Sequence, residues 1–182
     1  MAFEDQQAWA GWLHANHATS RGLWIRLAKK ASARRSVSYA DAVEGALCYG
    51  WIDGQSKGHD ETTWLQKFTP RRRGSIWSKI NREKAERLIS DGRMQAAGLA
   101  AIDRAKQDGR WDAAYDSPSS ATVPNDFQAA LKHSPQARAF FRTLNSRNRF
   151  AILFRIQNAK KPATRARRIE QFIRMLENHE KL

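Results

Sequence analysis

The sequence predicts an α+β protein with a small antiparallel sheet in its N-terminal part and a helical C-terminal part. Residues 1–70 mix helical periodicity with strand-type alternation, whereas the residues after Pro70 show helical periodicity only. Strands followed by a run of helices are typical of α+β folds. With 182 residues, 41% of them hydrophobic, the chain is long enough to bury a core without a metal or a disulfide.

The first three elements are each predicted from a local pattern. Apolar side chains at helical spacing predict an amphipathic helix over residues 4–16, and alternating core and surface residues predict a strand over residues 22–28. Ser38, followed three residues later by Asp41, resembles a capping box. A second helix is therefore predicted after Ser38, ending at Gly50.

A hairpin and six helices are predicted to follow. Segments 51–56 and 62–69 have strand composition and are joined by a polar turn, and Pro70 ends the second strand because proline lacks a ladder donor. Helical periodicity broken by glycine and proline then predicts helices over residues 75–90, 95–107, 126–132, 135–144, 147–158 and 164–178. The resulting domain prediction is an α+β part over residues 1–116, a linker over 117–125 and a basic helical region over 126–182.

Positive charge is concentrated towards the C-terminus. The net charge is +14, and residues 132–182 carry 13 Lys and Arg against 3 Asp and Glu, with no carboxylate between Asp126 and Glu170. Such an asymmetric distribution favours nucleic acid or another polyanion as partner. The alternative interpretation is a solubilising surface.

The sequence predicts a cytoplasmic protein without membrane insertion. Cys48 is the single cysteine and lies in an apolar stretch, which is typical of an inert buried thiol in a reducing compartment. Residues 1–20 lack the pattern of a signal peptide. Apolar runs such as residues 151–154 are far shorter than the roughly 20 residues of a spanning helix.

A first anion site is predicted just after the hairpin. Three consecutive arginines precede Gly74 and Ser75, and a helix that includes Lys79 is predicted to follow, with Ser75 as its N-cap. Guanidinium groups beside helix N–H groups would bind a phosphate. The predicted site residues are Arg71, Arg72, Arg73, Ser75 and Lys79. The alternative is that the arginines are solvated and Ser75 only caps the helix.

A second, denser anion site is predicted around the last helix. Ile169, Phe172, Ile173 and Leu176 form its core stripe, which directs the basic residues of this helix towards solvent. Thr164 is a candidate cap for the basic turn that leads into it. The predicted phosphate-binding residues are Arg155, Lys160, Lys161, Arg165, Arg167 and Arg168. A plain charged face is the alternative.

No catalytic constellation, metal site or cofactor motif is predicted. His14 and His17 lie three residues apart on one helix, but no further ligand completes a metal site. His59 and its acidic neighbours could form a polar cleft with Asp53, with turn hydrogen bonding as the alternative. Trp77 or Trp111 could supply a stacking surface for a base, although core packing is expected of most tryptophans here.

Several motifs resemble one bacterial family. They are Tyr49-Gly50-Trp51-Ile52-Asp53-Gly54-Gln55, Phe68-Thr69-Pro70-Arg71-Arg72, Gly74 to Asn81, Arg149 to Ile156, and Ala159-Lys160-Lys161-Pro162 followed by Thr164-Arg165. Over nearly the whole chain they resemble the YdeI/OmpD-associated family, also called bacteriocin-protection proteins. The resemblance implies an N-terminal part similar to the YjbR/CyaY-like α+β fold, whose YjbR branch is described as DNA-binding. It supplies no catalytic residues.

Charge and resemblance together rank three functions. The first is non-enzymatic binding of an anionic partner, most of all nucleic acid, with DNA and RNA both open. The second is bacteriocin protection or envelope-stress resistance, acting indirectly because a cytoplasmic protein does not meet a bacteriocin at the envelope. A strongly basic protein would also repel cationic peptides. The third is an unrecognised enzyme. The oligomeric state is not predicted by any feature.

Overall fold

The computed structural model describes residues 1–182 and has the predicted α+β class, with eight helices and one three-stranded sheet. The chain divides into two compact units. The first consists of residues 1–77 and 81–114, and the second of residues 78–80 and 115–182.

The sheet belongs to the first unit. Its strands are β1 (Leu23–Ala28), β2 (Trp51–Gly58) and β3 (Thr63–Pro70), in the order β1-β3-β2 with antiparallel pairing throughout. Strand β3 forms the predicted hairpin with β2 and also pairs with β1, so it lies in the centre. A bulge interrupts the β2–β3 pairing between Asp53 and Ser56. Ile25, Leu27 and Phe68 are almost fully buried, so one face of the sheet covers the core.

Two helices cover that core face, α1 (Gln6–Asn16) and α2 (Tyr39–Cys48). Trp9 of α1 is fully buried, and its indole N–H donates a 3.0 Å hydrogen bond to the carbonyl of Ala42 in α2. Gly45 allows this approach, since a Cβ there would lie 2.9 Å from Cδ1 of Trp9. The predicted cap is confirmed: the Ser38 hydroxyl accepts from the Asp41 amide.

The third helix begins later than predicted. Helix α3 spans Lys79–Ser90, not residues 75–90, and Ser75 is not its N-cap, because the Ser75 hydroxyl accepts from the amide of Arg72 within a tight turn. Helix α4 (Ala96–Gln107) follows as expected. Gly98 faces the end of α2 so closely that a Cβ would lie 2.3 Å from the Cys48 carbonyl oxygen, which fixes glycine at this position.

The second unit is helical and has its own core. Its helices are α5 (Asn125–His133), α6 (Pro135–Thr143), α7 (Ser146–Gln157) and α8 (Pro162–Glu177). Phe127, Ile156 and Leu176 are fully buried in this core, and Phe172 is 2% exposed, as the core stripe of the last helix predicted. Thr164 does not cap α8: the helix begins at Pro162, whose missing N–H is tolerated in the first turn, and Lys161 is the N-cap residue.

None of the helices in the structure has both the length and the apolar character required to cross a bilayer.

Candidate anion-binding surface

The second unit contains a long stretch of uncompensated positive charge. Residues 127–169 include eleven Lys and Arg and no Asp or Glu. Of the eleven, only Arg165 forms an ion pair, which leaves ten without a carboxylate partner. A surface of this kind attracts anions, since no neighbouring carboxylate neutralises it.

Part of this charge is exposed where α7 turns into α8. Arg155 lies in the last turn of α7, Lys160 and Lys161 form the connecting turn, and Arg167 lies in the second turn of α8; all four are exposed. Arg155 makes one backbone hydrogen bond, to the carbonyl of Ala151 at 3.2 Å. These four residues are called the corner cations below, and they are the exposed members of the second predicted site.

Arg165 and Arg168 make contacts within the second unit that the sequence did not predict. Arg165 donates to the Ile156 carbonyl at 2.9 Å, and Arg168 donates to the carbonyl of Arg155. Both bonds go to carbonyls in the last turn of α7, and the Ile156 carbonyl also accepts from the Ala159 amide at 3.1 Å. Side chains committed to capping hold the α7–α8 turn and are poorly placed to bind a phosphate.

Arg165 also forms an ion pair with a carboxylate. Its Nε lies 2.6 Å from Oδ2 of Asp126, and its Nη2 lies 2.9 Å from Oδ1, in a two-point contact. Hydrogen bonding from Arg165 lowers the pKa of Asp126, and the same contact raises the pKa of Arg165. Arg165 therefore joins α5 to α8 as a structural ion pair.

The first predicted anion site is not assembled as expected. Arg71 is 8% exposed, its guanidinium carbon lies 3.5 Å from the ring centroid of Trp77, and its Nη1 donates to the Ile76 carbonyl at 3.2 Å. A stacked, buried guanidinium serves packing and the turn. Arg72 and Arg73 are exposed, but no helix begins beside them.

Lys79 is likewise ion-paired and hydrogen-bonded within the second unit. Its ammonium lies 2.5 Å from Oδ1 of Asp116, and its backbone amide donates to the Tyr115 carbonyl at 2.9 Å. The prediction placed Lys79 within a helix that begins at Ser75 and has free amides at its start. Because this amide is bonded and this charge is paired, the structure does not favour Lys79 as an anion ligand, and its binding role stays a prediction.

The two tryptophans considered for base stacking are buried. Trp77 is 2% exposed and Trp111 6% exposed, and their rings pack edge to face with centroids 4.8 Å apart. Neither ring face is open to a base, so the core-packing interpretation is the correct one. A less buried ring, Trp24 on β1, lies under the ammonium groups of Lys57 and Lys67, at 4.8 and 5.8 Å from its centroid.

The polar residues of the hairpin do not converge on a cleft. Asp53 pairs with Phe68 early in β2 and accepts a 2.7 Å hydrogen bond from the Tyr39 hydroxyl. His59 lies six residues further along the chain, past the end of β2, and the pocket that it lines does not include Asp53. Asp60 accepts hydrogen bonds from the side chains and amides of Thr62 and Thr63; these bonds, that from the Thr63 hydroxyl foremost, lower its pKa. Turn hydrogen bonding therefore explains these residues.

The remaining candidates are also structural. The rings of His14 and His17 both contact Tyr49, and His17 Nδ1 is 2.9 Å from the Leu13 carbonyl. Cys48 is buried, and burial raises the pKa of its thiol. No three His, Cys, Asp or Glu side chains are grouped in a way that could hold a metal. The absence of enzymatic activity stays a prediction.

Sequence reasoning missed four basic residues that line one cleft of about 270 Å³ in the second unit, namely Lys132, Arg138, Arg142 and Arg149. One pattern in the sequence could have indicated this cleft. Arg138 and Arg142 are four residues apart in one predicted helix, so they share a face, and like charges at this spacing repel each other. Such a pair is unfavourable for the helix alone.

Comparison with known proteins matches two family models. Residues 1–101 match the family described as "Domain of unknown function (DUF8412)", and residues 120–179 match the family described as "Bacteriocin-protection, YdeI or OmpD-Associated". Neither a curated protein nor a solved structure matches the chain.

These matches confirm the predicted resemblance in part. Similarity to the YdeI/OmpD-associated family is confirmed for residues 120–179, where the corner cations lie. The expected YjbR/CyaY-like character of the N-terminal part is not supported, since that part matches a different family. The DUF8412 match covers residues 1–101 of 182, which is more than half of the chain. The protein therefore belongs to the DUF8412 family.

Proposed function

We propose that the second unit binds nucleic acid through its phosphate backbone, with the corner cations as the main contacts. The observation that carries the proposal is the stretch of residues 127–169, in which ten of eleven basic side chains have no carboxylate partner. Phosphates bound there would release counterions from the nucleic acid, and this release supplies most of the affinity of sequence-independent binding.

The arrangement of the corner cations on α7, α8 and the turn between them supports contact with a polymer. Lys160 and Lys161 project from a turn, and Arg155 and Arg167 lie on the two helices that the turn connects. The Arg165 and Arg168 contacts with the α7 carbonyls hold this turn in place. A fixed set of exposed cations loses less conformational entropy on binding than a flexible basic tail would.

Binding of this kind carries little sequence information. Phosphate contacts position a protein on nucleic acid but do not read bases. Trp77 and Trp111, the residues considered for stacking, are buried. The proposal is therefore binding that is insensitive to sequence.

A pair of matched double variants tests the proposal. Replacing Lys160 and Lys161 by Ala removes two corner cations, and replacing Lys29 and Lys30 by Ala removes the same charge from an exposed pair in the first unit. Fluorescence anisotropy with labelled oligonucleotides across a salt series gives the slope of log affinity against log salt. The corner variant should flatten this slope by about one to two units, at 0.7 to 0.9 per phosphate, and weaken binding to all sequences alike.

The two variants also define the result that would refute the proposal. Equal losses in both would mean that only net charge matters. An unchanged slope in the corner variant would mean that the corner cations are a solvated surface.

Bacteriocin protection is the second candidate, favoured by the match of residues 120–179 to the bacteriocin-protection family. We propose that such protection, if it operates, is indirect and depends on the same corner cations. Survival of a bacteriocin-sensitive bacterium expressing the wild type or the Lys160, Lys161 double variant tests this. Protection by the wild type that is lost in the variant is expected; equal protection by both would separate the two functions.

A further inference from the structure

A second positively charged feature of the second unit is a cleft, distinct in its residues from the corner cations. It has a volume of about 270 Å³ and is lined by Val123, Gln128, Leu131, Lys132, Arg138, Phe141, Arg142 and Arg149. No acidic residue is in its lining. Four of the eight lining side chains are cations, and they come from three helices, α5, α6 and α7.

We propose that this cleft binds a small organic phosphate, a phosphate monoester carrying a compact apolar or aromatic group. Arg138 and Arg142 lie one helical turn apart on α6, so both guanidinium groups face the same side of that helix. Arginine presents planar N–H donors that match phosphate oxygens in pairs. Lys132 and Arg149 add two positive charges from the neighbouring helices.

The cleft contains no internal counter-charge. Lys132, Arg138, Arg142 and Arg149 form no ion pair, in contrast to Arg165 in the same unit, which Asp126 neutralises. Positive groups gathered at one concave surface repel each other, and low-dielectric walls strengthen the field inside. A bound dianion would relieve this repulsion at a single place.

The apolar part of the cleft lining indicates which kind of group the phosphate would carry. Phe141 is 4% exposed and Leu131 5% exposed, so they form a floor. The guanidinium of Arg149 lies 5.0 Å from the ring centroid of Phe141, in cation–π contact. A floor of this type suits a flat apolar group beside the phosphate, and the volume is at the small end for ligand pockets, which selects a small molecule.

The inference goes beyond the proposed nucleic-acid function, because no corner cation lines the cleft. The nucleic-acid proposal and the cleft proposal can therefore fail independently of each other. Nucleic-acid binding depends on Arg155, Lys160, Lys161 and Arg167, and the cleft depends on Arg138 and Arg142 above all.

Titration calorimetry of the full chain with phenyl phosphate at low salt tests the proposal, with phenol and inorganic phosphate as partial ligands. The variants are Arg138→Gln and Arg142→Gln, whose side chains make no hydrogen bond or ion pair in the structure, so their loss should not unfold the unit. Arg34→Gln removes the same charge from an exposed site in the first unit, outside the cleft. Circular dichroism and a melting curve confirm the fold of each variant.

Phenyl phosphate should bind one site per chain, at least tenfold more tightly than either partial ligand. Each cleft variant should weaken it at least tenfold, and Arg34→Gln less than threefold. Affinity unchanged in both cleft variants, or equal binding of phenol, would overturn the proposal. So would displacement of phenyl phosphate by an oligonucleotide in the wild type but not in the Lys160, Lys161 variant, because the site would then belong to the nucleic-acid surface.

Discussion

Arg165 and Asp126 form a two-point ion pair, with Nε to Oδ2 at 2.6 Å and Nη2 to Oδ1 at 2.9 Å. The pair joins the start of α8 to the start of α5, and Arg165 also caps the Ile156 carbonyl of α7. It thus connects three helices of the second unit. This explains why Arg165 stabilises the basic surface instead of acting as one of its exposed binding groups.

The ion pair makes the stability of the protein depend on pH. The Arg165 hydrogen bonds lower the pKa of Asp126 below its usual range, so the pair stabilises the fold above the unfolded pKa of about 3.9. This contribution is lost as the pH falls through the lower, folded pKa. Asp126→Asn should reduce the free energy of unfolding by about 0.5–1 kcal/mol at pH 7, because both side chains are partly exposed.

Urea unfolding of the wild type and Asp126→Asn at pH 7 and pH 3 measures this. The difference between the two proteins should shrink at pH 3. A difference that grows on acidification would contradict the assigned pKa direction.

Arg71 should behave as a core residue and not as a binding residue. Its guanidinium is stacked on Trp77 and bonded to the Ile76 carbonyl, so Arg71→Ala should lower the free energy of unfolding by about 2–4 kcal/mol. Arg73→Ala is the matched control: Arg73 is exposed, and its loss should change stability by about 0.5 kcal/mol or less. Urea denaturation compares them, and equal effects would refute the structural role of Arg71.

Two glycines should respond in opposite directions to the same change. A Cβ at Gly45 would lie 2.9 Å from Trp9, so Gly45→Ala should destabilise the first unit by about 1–3 kcal/mol. Gly11 lies in α1 with open space around its Cα, so Gly11→Ala should stabilise by about 0.5–1 kcal/mol. Thermal melts of both variants measure this, and destabilisation by Gly11→Ala would contradict the packing described for α1.

The proposed function also predicts a location. A protein whose ligand is nucleic acid must meet that ligand, so we expect the chain in the cytoplasmic fraction of the cell. Fractionation with immunoblotting, using known cytoplasmic and periplasmic proteins as markers, checks this. Recovery mainly in the periplasm would count against nucleic acid as the physiological ligand.

The sequence predicted most elements of the fold because their signals are local. The apolar stripe of α8 and the Ser38 cap of α2 were both recognisable from neighbouring residues. The start of α3 was not, because distant groups determine it. Arg110, 35 positions away in the sequence, donates to the Ser75 carbonyl at 2.6 Å. This carbonyl is therefore not available to a helix that starts at Ser75, and α3 begins at Lys79.

The candidate site was predicted at the level of the region and not of each residue. Charge counting selected residues 132–182, and four of the six predicted residues there are the exposed corner cations. Whether an arginine faces solvent or binds a carbonyl depends on tertiary contacts, as Arg165 and Arg168 show. The cleft of Arg138 and Arg142 was missed because its lining comes from three helices.

The salt dependence of nucleic-acid affinity tests the central claim most directly. Fluorescence anisotropy of the nuclease-treated wild-type protein with a labelled duplex should give a line in log affinity against log salt. With four corner cations each neutralising one phosphate, its slope should be about −3 to −4. Absence of binding at low salt, or an affinity that does not change with salt, would show that the basic surface of the second unit does not bind nucleic acid through phosphates.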